Sequence, residues 1–128
     1  MRTLPPSREA DADARRIHPA EITPPAANGI LALVVRKEDT TSRTEALTWH
    51  NKDTATLSNV ERSILKYAIE NGCEAAVYTE RDAQGRYHLF LAIGQGSRWE
   101  KTSVVHDGWK GLVRVGTSFI DLTIKKVN

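Results

Sequence analysis

The chain contains a single cysteine, Cys73, among 128 residues. An intrachain disulfide is therefore excluded, and the protein fits a reducing compartment. It has no long apolar run: the longest is ILALVV at residues 30–35, far short of the roughly 20 residues that cross a bilayer. A membrane partner is not expected. The N-terminal stretch MRTLPPSREADADARRIHPAE carries charges where a signal peptide needs an apolar segment, so a cytoplasmic location is expected. Charge of one sign is also scarce. The formal net charge is +2, so composition alone does not mark a polyanion binder.

Motifs with a defined chemistry are equally sparse. The four histidines, His18, His50, His88 and His106, show no H-x-H or H-x-x-x-H spacing, and Cys73 has no C-x-x-C companion. A zinc site drawn from His50, His88 and His106 would need distant strands to converge; none is expected, and no other cofactor. Cys73 follows a predicted helix C-terminus, where the helix dipole opposes a thiolate. Gly94-Gln95-Gly96 lacks the third glycine and the following helix of a phosphate loop, and reads as a turn. No catalytic residue is assigned. His88, His106, Lys101 and Thr102 are kept as candidates for general acid–base work on a curved sheet, with Glu80 as a thinner possibility.

What is present divides the chain in two. All five prolines fall within residues 1–28, where four arginines balance four acidic residues and apolar side chains are few. Such a segment buries too little to offset its ordering entropy. It reads as a disordered leader, with a short helix at 7–17 conceivable, or as an arm that folds on a partner or lies across its own sheet. Residues 29–128 read as a single α+β domain.

Within that domain, residues 30–36 predict a buried strand and 45–50 a second one. Residues 57–71 predict a helix, with Ser58 and Glu61 as its capping box and Gly72 as its left-handed terminator. Residues 77–96, VYTERDAQGRYHLFLAIGQG, predict a hairpin with Asp82 opposite Arg86 around a glycine bulge. One face then carries Ala75, Val77, Thr79, Leu89, Leu91 and Ile93, and the other Ala76, Tyr78, Glu80, His88, Phe90 and Ala92. Neither is a plain solvent face. Residues 98–105 predict a strand, and 112–126 a second hairpin turning at Gly116-Thr117, with Arg114 stacked over Phe119. The expected architecture is a curved antiparallel sheet of six or seven strands, in β-β-α-β-β-β-β-β order, packed around one main helix.

Residues 86–128 hold seven basic residues against three acidic ones, interleaved with aromatics. Tyr87, Arg98, Trp99, Lys101, Trp109, Lys110, Arg114 and Phe119 are the candidate binding residues. Basic and aromatic groups together serve protein hot spots and single-stranded nucleic acids alike. The function expected is a small non-enzymatic protein-binding module of inhibitor, immunity or adaptor type, with a protein partner or homodimer. The alternatives are a nucleic-acid binder on the same surface and, behind it, a small nuclease or hydrolase.

Overall fold

The computed structural model describes residues 15–127, without the side chains of Lys126 and Val127. The conceivable helix at 7–17 and most of the N-terminal leader lie outside the described residues. The elements run α1 (Thr40–Leu47), α2 (Lys52–Glu70), β1 (Glu74–Arg81), β2 (Tyr87–Gln95), β3 (Arg98–His106) and α3 (Trp109–Val127). The sheet is antiparallel in the order β1-β2-β3. The class is α+β, but among the described residues three strands and three helices replace the expected six or seven strands around one helix.

The hairpin forms as its turn chemistry dictates. Asp82 N–H donates to the Arg86 carbonyl at 2.9 Å, and Gly85 takes φ 83. Val77 then faces Leu91 and Thr79 faces Leu89, which sorts the two faces as the sequence predicts. Gly96, at φ 62, opens a two-residue connection into β3.

The C-terminal third is helical where a hairpin was expected. Its valines, threonines and isoleucines favour strands, but besides Gly111 the buried positions of α3 are Leu112, Gly116, Ile120 and Thr123, the spacing of one helical face. Gly116 brings α3 close to α2: a Cβ there would stand 2.8 Å from Ile64 Cδ1. The expected Arg114–Phe119 stack disappears with the hairpin. Thr117 and Thr123 donate their hydroxyls to the Arg114 and Phe119 carbonyls, at 3.0 and 2.9 Å, satisfying them inside the helix.

Helix α2 begins earlier than expected. The Asn51 side chain accepts from Thr54 N–H at 2.9 Å, so Asn51 is the N-cap and Ser58 lies inside the helix. Glu61 is buried instead of capping. Its Oε2 accepts from Thr79 N–H at 2.9 Å and Thr79 Oγ1 at 2.7 Å, and its Oε1 from Ala27 N–H at 2.6 Å. The carboxylate thus fills the acceptor position that a neighbouring strand would use on the outer edge of β1.

This explains the fate of residues 30–36, which form no strand. Residues 31–36 are exposed and have no regular secondary structure. Residues 45–50 are likewise the end of α1 and a turn. Asp39 caps α1 by accepting from Ser42 N–H at 2.9 Å, and a helix started there runs through the expected strand.

Helices α2 and α3 cover one face of the sheet. Val60, Ile64 and Ala68 of α2, Leu112 and Ile120 of α3, and Val77, Leu89, Leu91 and Ile93 of the sheet make the core. The other face is crossed by the segment before residue 28. The His18 ring meets Phe90 edge-on with centroids 5.3 Å apart, and Lys101 Nζ donates to the Glu21 carbonyl. The chain then passes to Ala26, which packs against the core cluster. Both faces of β2 are thereby dry, and Phe90 and Ala92 are buried like Leu91. No helix among the described residues is long and apolar enough to cross a membrane.

Candidate functional site

Strand alternation separates the acid–base candidates. His88 pairs with Val105 and Tyr87 with His106, so His88 lies on the face crossed by the N-terminal segment and His106 on the helix face. His88 Nε2 is 2.8 Å from Asp82 Oδ2. That contact, with the Arg86 and Gln84 N–H groups and the Arg86 charge, lowers Asp82 to about 2. The cluster fastens the hairpin turn. His106 Nδ1 accepts from Gly108 N–H at 3.0 Å just ahead of α3, and its ring lies against Gly111, where any Cβ would collide with it. Lys101 is exposed and bonded to Glu21; Thr102 is half-buried, opposite Leu91. These four side chains do not converge on one point. Among the described residues no three His, Cys, Asp or Glu side chains gather as metal ligands would. Burial pushes the Cys73 thiol up.

The aromatic and basic candidates divide between the two ends of β3. Arg98, Trp99 and Lys101 sit at its start, with the Trp99 ring packed over Gly94, where a Cβ would be 2.6 Å away. Tyr87 sits at the far end under the Arg81 guanidinium, 5.2 Å from its ring centre. Trp109 and Lys110 lie just beyond that end, with Lys110 Nζ 5.6 Å from the Trp109 ring centre. At about 3.3 Å per residue, Trp99 and His106 are separated by roughly 23 Å. Arg114 is exposed on α3, and Phe119 packs half-buried against the core.

A more continuous surface lies elsewhere, on residues 30–51. Leu31 and Val34 are 96% and 92% exposed, Trp49 is 77%, and Leu33 and Leu47 are also exposed. With the first turns of α2, all of these but Val34 border an open groove of about 440 Å³. Its walls include Leu31, Leu33, Leu47 and Trp49, with Thr54 and Ser58 from α2. Exposed apolar groups in contiguity mark an interaction surface, whereas scattered ones do not. A second cleft, of about 560 Å³, separates Ile30 and Leu31 from Tyr78 to Arg81 at the end of β1.

Reasoning from sequence missed this surface because an apolar β-branched run is ordinarily the mark of a buried strand. One signal did point outward. The loop KEDTTSR follows the run directly, and its Asp39 and Ser42 match the start of a helix rather than a hairpin turn. Glu61 was missed similarly: it is one helical turn before buried Ile64, on the apolar stripe itself.

No protein-family model matches the chain, and no curated protein matches it. The functional reading therefore rests on the residues described here.

Proposed function

We propose that the protein is a non-enzymatic protein-binding module, of the inhibitor, immunity or adaptor kind, which binds through the apolar groove of residues 30–51. The observation that carries this reading is the exposure of Leu31, Leu33, Leu47 and Trp49 around one groove. Tryptophan is enriched among protein hot spots, and a contiguous exposed apolar patch around it marks an interaction surface. The groove contains one basic side chain, Arg43, with His50 at its rim. That charge is too small to hold a phosphate backbone, whose binding scales with the number of cations engaged.

The test compares the wild-type protein with Leu47→Ser and Trp49→Ser. Both positions are exposed, so melting temperature should stay unchanged while association with protein, read by light scattering and by immobilised-protein capture, is lost. Association that is identical in wild type and variants would defeat the reading. Quenching of tryptophan fluorescence by single-stranded DNA, abolished in Trp99→Ala, would put nucleic acid in its place.

A further inference from the structure

We propose that Asn28-Gly29 is a self-modifying site: Asn28 deamidates through attack of the Gly29 nitrogen, and the isoaspartate formed there frees the crossing segment from Glu61. The inference goes beyond the protein-binding reading and does not depend on it.

The chain has two Asn-Gly pairs, Asn28-Gly29 and Asn71-Gly72, and the fold holds them differently. Asn71 is the C-cap of α2. Its Nδ2 donates to the Tyr67 carbonyl at 2.8 Å, and Gly72 N–H donates to the Ile69 carbonyl at 3.0 Å. The side-chain amide and the nitrogen that would attack it are thus both tied to the last turn of the helix. Asn28 and Gly29 are exposed and belong to no helix or strand. The turn bonds around them, to the Pro25 carbonyl at 3.3 Å and the Ala27 carbonyl at 3.2 Å, use the N–H groups of Asn28 and Ile30, not that of Gly29. Gly29 takes φ 77 and has no Cβ to shield its nitrogen.

The reaction needs only water. The Gly29 nitrogen gives up its proton and attacks Asn28 Cγ. A bond from that nitrogen to Cγ forms, the bond from Cγ to Nδ2 breaks, and Nδ2 leaves as ammonia with the proton. Water then opens the cyclic imide. Its hydroxyl goes to one of the two ring carbonyl carbons, and its proton returns to the nitrogen. Opening at Cγ gives an aspartate at position 28. Opening at the backbone carbonyl gives an isoaspartate, in which the main chain runs through Cγ and is one methylene longer. Either product adds one negative charge.

The longer main chain acts on a strained neighbour. Ala27 takes φ 60, the one positive φ among the described non-glycine residues, a conformation that a Cβ disfavours. Two bonds support it: Ala27 N–H donates to the buried Glu61 Oε1 at 2.6 Å, and the Ala27 carbonyl accepts from Ile30 N–H. The second bond closes a ring through Asn28 and Gly29, so the added methylene falls inside that ring and opens it. Ala27 then relaxes away from Glu61, and with it goes the anchor of the crossing segment on the core.

The test ages the full chain in neutral buffer and maps it with trypsin, which places Asn28 in peptide 17–36 and Asn71 in peptide 67–81. Asn28 should convert at least about tenfold faster than Asn71, whose reaction must first break two hydrogen bonds. Equal rates, or a faster Asn71, would overturn the site. The isoaspartate form, separated from fresh protein by its retention on an ion exchanger and its peptide map, is then compared by amide exchange. Its Ala27 N–H should exchange at least about tenfold faster, the effect of losing one hydrogen bond to a charged group. Asn28→Gln, aged alongside, should keep the protection of fresh protein. Unchanged exchange at Ala27 in the isoaspartate form, or equal loss of protection in aged Asn28→Gln, would overturn the release.

Discussion

At the scale of single residues, two carboxylates behave in opposite ways because of where they sit. Glu61 is buried with three donors. Glu61→Ala leaves Ala27 N–H and both Thr79 donors without that partner, and an orphaned buried donor costs about 1–3 kcal/mol. Urea denaturation should register a loss of that order or larger, and Glu61→Gln a smaller one, since its amide keeps one acceptor oxygen. Asp82 instead holds the hairpin turn at the surface. Its carboxyl is lowered from 3.8 to about 2, chiefly by the hydrogen bond to His88. A depressed acid stabilises the fold above its unfolded value and loses that contribution as pH falls. Wild type should therefore lose stability between about pH 4 and about pH 2 more steeply than Asp82→Asn does, as read from urea midpoints across that window. Of these contacts only that of Asp82 with Arg86, four positions away across the turn, was legible in the sequence; His88 is in β2, and Thr79 is in a different element from Glu61.

At the scale of elements, legibility follows the range of the forces that decide each one. The β1–β2 register is set by Asp82, Gly85 and strict alternation, and Gly72 at φ 75 ends α2; these are local. Helix α3 is decided by what it packs against. Its residues prefer strands by about 1 kcal/mol or less each, and burial of Leu112 and Ile120 against α2 and the sheet outweighs that preference. The same contact makes Gly116 sensitive. Alanine is favoured over glycine in a helix by about 1 kcal/mol, but a Cβ 2.8 Å from the fully buried Ile64 overpacks the interface, at about 1–3 kcal/mol. Gly116→Ala should be destabilising on balance, and Ile64→Val should cost less in that background than in wild type. Additive losses in the double-mutant cycle would show that the two helices do not meet there.

At the scale of the whole molecule, the arrangement is a layer of two helices, a three-stranded sheet and a crossing segment. The sequence raised the problem of a strand with two dry faces and offered a curved sheet of more strands, with the N-terminal arm, a second copy or a partner over whatever apolar surface remained. The structure solves it with fewer, by placing residues before Ala26 on the second face. Removal of residues 1–22 should expose Phe90 and Ala92 and raise binding of an apolar dye, while the helix content by circular dichroism persists. An unchanged dye signal would mean that the crossing segment does not shield that face.

That crossing has a consequence in time. The bond between Lys101 and Glu21 spans 80 residues of chain, and the His18 ring needs a Phe90 already seated in a formed sheet. Loops of this length close late, after the local hairpin and the helices have nucleated. The segment that precedes the sheet in the chain is thus the one that docks last. Its amides should exchange with solvent well before those of β2, and its release would precede global unfolding rather than accompany it.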